Sequence, residues 1–163
     1  MVARLSIGGL KVSPPLALFA VQAGARPSAA EVFRRFAARR INMTLVALET
    51  VDGEAAGACC IDQEALAAAE AELGPEPGGI AIAAPVACLT LYPHQARLML
   101  LQVVLGALAR AGLPVRTMAS SSSALSVVTD WQRLDEALAA VAAVTELPPN
   151  HAPLHPSVRL RPI

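Results

Sequence analysis

The sequence predicts an α+β fold built from two similar units, and three observations lead there. Over 163 residues the hydrophobic fraction is 55% and the charged fraction 16%, which excludes a disordered chain and fits one large domain or two small ones. Apolar runs and helical periodicities follow the order strand, helix, strand, strand, helix in the first half, and the second half repeats it. Corners of the two halves also match about 70 positions apart, Ile41-Asn42-Met43 with Leu113-Pro114-Val115, and the helix-preceding Asp62 with Asp130.

Each element has its own signal. Leu16 to Val21 is a short apolar run after Pro14 and Pro15, as a buried strand requires. The segment from Gln22 to Pro27 has loop composition. Ser28, with Glu31 three positions on, forms a capping box that starts a helix. Val32, Phe33, Phe36 and Ala37 then recur at helical spacing, with Arg34, Arg35 and Arg39 on the other face. Met43 to Leu48 is the second strand, and Val51-Asp52-Gly53-Glu54 is a hairpin signal that returns the chain along Ala55 to Ile61. Asp62 can cap a second helix, and Gly74 can end it.

Gly74 to Gly79 punctuates the chain before Ile80 to Ile82, a closing strand. The second half then offers Val86 to Leu91 as strand and Gln95 to Ala111 as an apolar helix closed by Gly112. Val115 to Ala119 is a strand, Ser120 to Ser123 a polar corner, and Ala124 to Val128 the returning strand. Asp130 caps the last helix, in which Leu134, Ala137, Leu138 and Val141 share a face, and Val158 to Leu160 hints at a short strand. A βαββαβ unit of this size is the ferredoxin-like split βαβ, an antiparallel sheet with two helices on one face. The expected boundaries are 1–78 and 79–163, with terminal strands open to exchange between the units. One sheet face per unit is left uncovered, which favours pairing of units or chains.

Composition narrows the function. Acids and bases balance at 13 each, so no pull toward nucleic acid or an anionic membrane is expected. Aromatics are 3% of residues, too few for base stacking. Leu98 to Leu113 is broken by Gln102 and Arg110 and cannot span a bilayer. Three cysteines, Cys59, Cys60 and Cys88, and no apolar leader at the N-terminus suggest a reducing cytoplasm. Ser120 to Ser123 have no histidine and acid in a nucleophile arrangement. His151 and His155 are separated by Pro153, which breaks any shared helical face, so neither catalytic nor metal-binding residues nor a cofactor are expected.

The corners quoted above, Ala37 to Met43 and Ala109 to Val115, resemble the corner of ACT domains. Val115 to Val141, with its serine-rich corner, strand and acid-preceded helix, resembles the second ACT domain of the aspartate kinase regulatory region. Gly9 to Val21 is similar to the strand that enters the first ACT domain there, and the resemblance extends to about Leu147. It implies two ACT-like units without the kinase domain, since Gly8-Gly9 leads into Leu10-Lys11-Val12 and not into a phosphate loop with a helix. It further implies a homodimer that binds an amino acid effector and regulates an enzyme partner.

By the same resemblance, the loop after the first strand offers amides at a helix start for a carboxylate. That assigns Gln22, Gly24 and Ala25 in the first unit and Pro93 and His94 in the second. The start of the second strand meets this loop across an interface, which adds Asn42, Met43 and Thr44, and then Pro114 and Val115. Two departures stand out. Ala29 and Ala30 occupy the place of a family glycine, and Thr44 stands where ligand-binding copies often carry an acid. A second reading therefore stays open, an ACT-like dimerisation or interaction module that has lost its effector.

Overall fold

The structure, a computed structural model, describes residues 4–75, 77–92 and 98–149. In chain order the elements are β1 (Leu5–Ser6), β2 (Gly9–Val12), β3 (Leu16–Arg26), α1 (Ala29–Ala38), β4 (Met43–Val51), β5 (Glu54–Asp62), α2 (Leu66–Leu73) and β6 (Gly78–Tyr92). They continue with α3 (Leu98–Arg110), β7 (Thr117–Ser120), β8 (Leu125–Asp130), α4 (Leu134–Val144) and β9 (Thr145–Glu146). Two ferredoxin-like units result. One, the inserted unit, comprises Pro15–Val86 with Asp130–Gln132; the other, the split unit, takes the residues up to Pro14, Ala87–Thr129 and those from Arg133 on.

In the inserted unit the strands lie in the order β4-β5-β3-β6, all antiparallel. Helices α1 and α2 cover one face. Ala17, Phe19 and Val21 of β3 and Cys59 and Ile61 of β5 point into a core closed by Val32, Phe36, Ala69 and Leu73. Phe19 and Phe36 meet edge to face at 5.2 Å, the arrangement that ring quadrupoles favour. Ser28 caps α1 by accepting the Glu31 amide at 3.4 Å. The Glu31 carboxylate is drawn instead to Arg34 and Arg35.

Asp62 makes no cap bond; a short 3₁₀ turn, Gln63–Ala65, leads into α2, and Gly74 ends that helix at φ 85°. At the hairpin, Asp52 and Gly53 take φ 52° and 80° between Val51 and Glu54, the two-residue turn that matches strand twist.

Two expectations need correction here. The segment after Val21 is strand, not loop: β3 runs on to Arg26, which pairs with Gly78. The irregularity is absorbed as a register shift between Val21 and Arg26, with Gly24 at φ 75°. Gly79 packs so closely on Ala25 that a Cβ there would lie 3.1 Å away. The two strands expected at Ile80–Ile82 and Val86–Leu91 are likewise one strand, β6. Pro85 sits inside it where the register against β3 shifts, between the pairs Leu18 with Ala83 and Leu16 with Val86. An irregularity tolerates a residue with no N–H to give.

The split unit has the strand order β2-β6-β8-β7, using β6 from Ala87 on. Its fourth strand comes from the N-terminus: Gly9 to Val12 pair antiparallel with Tyr92 to Leu89. Gly9 to Val21 is thus two strands, β2 and β3, broken at Ser13-Pro14-Pro15. Beside this sheet, β1 and β9 form a parallel pair, Leu5 with Thr145 and Ser6 with Glu146. Leu100, Val104 and Leu108 of α3 and Leu134, Ala137, Leu138 and Val141 of α4 are buried. Asp130 does not stand at the start of α4 as expected: a 3₁₀ turn, Trp131–Arg133, lies between them, and Arg133 takes the N-cap position. The expected strand at Val158 to Leu160 and the histidines His151 and His155 lie outside the described residues.

The matching corners have a physical cause. After α1 the amide of Ile41 bonds to Phe36 O at 2.9 Å, and after α3 the amide of Leu113 bonds to Leu108 O at 3.0 Å. Both are Schellman-type endings with a buried apolar residue just past the turn. Gly112 takes the left-handed position after α3, at φ 62°, and Arg40 takes it after α1, at φ 56°.

Candidate functional site

In the inserted unit, Gln22 and Gly24 are exposed on the far end of β3, while Ala25 is buried against Gly79. Arg26 folds its guanidinium back onto the carbonyls of Ala25 and Gly24, at 2.9 and 3.2 Å. Asn42 and Thr44 are exposed at the start of β4, and Met43 is half-buried against the core. Thr44 stands at a bulge, where the pairing of β4 with β5 shifts between Met43 and Leu45.

Register decides whether these groups meet. Met43 lies in one row with Ile61 and Ala17, whereas Leu48, Gly57 and Val21 form another row, five residues along the bulged β4 and four along β5 and β3. Gln22 to Ala25 lie beyond the second row, so they and Asn42 to Thr44 occupy opposite ends of one sheet, about 17 Å or more apart. A single inserted unit does not bring the two groups together.

In the split unit, Pro93 and His94 lie outside the described residues. Pro114 is half-buried and its carbonyl accepts the Thr129 hydroxyl at 2.7 Å. Val115 beside it is 38% exposed. Arg133 donates to Gly112 O at 2.7 Å and to Ala111 O at 3.4 Å, a cation on the carbonyls that end α3. It also holds Glu136, whose carboxyl is lowered chiefly by that hydrogen bond.

The basic concentration on α1 is occupied within the unit. Glu31 accepts from Arg34 and Arg35 and is lowered to about 2 by those hydrogen bonds. Arg35 also donates to Glu72 O at 2.8 Å, and Arg39 pairs with the Glu72 carboxylate at 2.6 Å. The three cysteines are buried and outside any disulfide, and burial pushes the Cys59 thiol up to about 12. Ser121 accepts the amides of Ser123 and Ala124, so the serine corner is a hydrogen-bonded turn. No group of three His, Cys, Asp or Glu side chains that could hold a metal ion occurs among the described residues.

Sequence reasoning missed a groove of about 410 Å³ at the end of α2, lined by Glu70, Leu73, Pro75, Pro77 and Ile82 among others. The glycines and prolines of Gly74 to Gly79 were its one sequence signal.

No protein-family model and no curated protein matches the sequence. Solved structures do match it. The regulatory subunit of aspartate kinase from Thermus flavus superposes with a TM-score of 0.72 at 18% identity, covering 86% of this chain and 99% of that one. The ligand-free regulatory subunit of aspartate kinase from Thermus thermophilus gives 0.71 at 21% identity, again covering 86% and 99%. A putative C-terminal regulatory domain of aspartate kinase from Porphyromonas gingivalis W83 gives 0.63 at 15%, covering 83% and 95%. The chain therefore has the tandem ACT-type fold of these regulatory regions.

Proposed function

We propose that this chain is a regulatory amino-acid-binding protein: a tandem ACT-like homodimer in the cytoplasm, without chemistry of its own, that acts allosterically on an enzyme of amino-acid metabolism. The observation that supports it most is the shared fold across nearly the full length of separately solved regulatory subunits of aspartate kinase. The mechanism would be a population shift, in which an effector favours one arrangement of the units by its differential affinity. Three buried cysteines outside any disulfide suit a reducing compartment.

One observation favours the second reading, an interaction module that has lost its effector. Ala25 of the segment expected to hold a carboxylate is buried against Gly79, and Thr44 brings no charge for an ammonium group.

A thermal-shift panel of the twenty amino acids separates the readings. A ligand at about a hundred times its dissociation constant adds about 2.7 kcal/mol and moves the midpoint by several degrees. The sensor reading expects that shift for one or two amino acids, and expects Asn42→Asp, at an exposed position, to change it while the protein stays folded. A flat panel on folded dimer leaves the interaction module.

A further inference from the structure

We propose that the last 14 residues of the chain, 150–163, fold back onto the exposed apolar face of α3 in their own split unit, seating Val158 and Leu160 on Leu101 and Leu105. The outward faces of the helices differ in one respect. The exposed residues of α1, α2 and α4 are alanines, acids and Arg34. On α3, Leu98 and Met99 are 78% and 56% exposed. Leu101 and Leu105 are only half-buried and fall at helical spacing from Leu98, so the three form one stripe, with the uncharged Gln102 beside it. A helix that is apolar on its outer as well as its inner face is one that is covered on both.

The course of the chain brings the segment to this stripe. Arg133, the N-cap of α4, donates to Gly112 O and Ala111 O just past the end of α3. Helix α4 therefore starts where α3 ends, and since the two pack side by side it runs back toward Leu98. β9 follows Val144 directly, so the chain leaves α4 at the end of the unit where α3 begins. From Pro149, nine residues reach Val158, about 30 Å when extended, against an α3 about 20 Å long. Every point of the stripe is within that reach.

The segment has the composition the stripe calls for. It carries Leu154, Val158, Leu160 and Ile163 and no acid. Pro153, Pro156 and Pro162 disfavour helix and favour extended backbone, which lowers the entropy lost on docking. In an extended segment Val158 and Leu160 share one side, about 6.6 Å apart, close to the rise of about 6 Å from Leu101 to Leu105. Arg159 and Arg161 then face water on the other side. Docking turns exposed aliphatic surface on both partners into one buried patch. Being tethered, the segment is present at α3 at an effective concentration of about millimolar, ahead of any free chain that would bind the same face.

Thiol labelling of the full chain tests this. Cys59, Cys60 and Cys88 are buried, so Gln102→Cys, which keeps every leucine of the stripe, supplies one accessible thiol beside it. Its labelling rate is compared with that of the same chain carrying Val158→Asp and Leu160→Asp, after circular dichroism has shown both to be folded. Labelling is expected to be about tenfold slower with the native segment than with the two aspartates, by the same factor at every protein concentration. Met99→Cys, on the neighbouring turn, gives the same comparison if Gln102→Cys does not fold. Equal rates in the two chains, whether fast or slow, would overturn the contact. Slowing that fades on dilution would place the segment of another copy on α3 and overturn the fold-back within one chain.

Discussion

Glu31 accepts Arg34 Nη2 at 2.7 Å and Arg35 Nε at 2.9 Å on one carboxylate oxygen, and Arg34 Nε at 2.9 Å on the other. These charge-assisted bonds are available only to the ionised acid, which is why its pKa falls from 4.5 to about 2. A carboxyl whose folded pKa is lowered stabilises the fold above its unfolded value and loses that contribution as pH falls through the folded one. The contribution of Glu31 is therefore full above pH 4.5 and fades toward pH 2. Lying half-buried at the surface, it is also screened in part by salt. Glu31→Gln keeps the shape and removes the charge. The melting-temperature gap between wild type and variant is expected to be constant near neutrality and to close between pH 4.5 and about 2. Glu136, lowered by Arg133 in the same direction, is common to both proteins and cancels in the difference.

The β4–β5 hairpin shows how an element depends on one small residue away from its turn. At Gly53, in the turn, a Cβ would meet nothing within 4 Å, and only its φ of 80° resists a side chain. At Gly57 a Cβ would collide with Ala47 O, and it would approach Leu48 Cδ2 at 2.9 Å and Leu48 Cα at 3.0 Å. Backbone cannot swing aside as a flexible side chain can. Gly57→Ala is expected to cost about 2 to 3 kcal/mol, at the upper end of overpacking, and Gly53→Ala about 1 kcal/mol from left-handed strain alone. Chemical denaturation of the two variants checks the order. The turn itself was legible because Asp-Gly between apolar runs has few other uses. The helix corners were legible because a Schellman ending demands a left-handed residue followed by an apolar one, and Ile41 and Leu113 meet that demand. Gln22 to Arg26 was not, since a bulged strand and a loop draw on the same glycine-containing composition. Nor was the continuity of β6, because Pro85 reads as a break until its register against β3 is known.

Connectivity between distant segments was the least legible level of all. Gly9 to Val12 has the pattern of a strand, but nothing local says that its partner is Leu89 to Tyr92, about 80 residues on. Register governs the candidate site in the same way: the identities of Asn42 and Gln22 could be picked from the sequence, their placement at opposite sheet ends could not. The N-terminal segment has a large role in the split unit. Ile7 and Leu10 are buried, the Ile7 amide bonds to Glu146 O at 3.0 Å, and Ser13 exchanges bonds with Cys88, donating its amide to Cys88 O at 3.0 Å and accepting the Cys88 amide on its hydroxyl at 2.9 Å. Deleting the chain through Val12 removes β1, β2 and two buried aliphatic side chains worth about 1.5 to 3 kcal/mol each, a sizeable share of a domain's stability of about 5 to 15 kcal/mol. Hydrogen exchange on that truncated chain is expected to show lost protection in β8, α4 and the Leu89–Leu91 part of β6, while β3 and β5 keep theirs, because the inserted unit draws its strands from Leu16 onward. Uniform loss across both units would show instead that they fold as one cooperative body, with the N-terminal strand holding the whole.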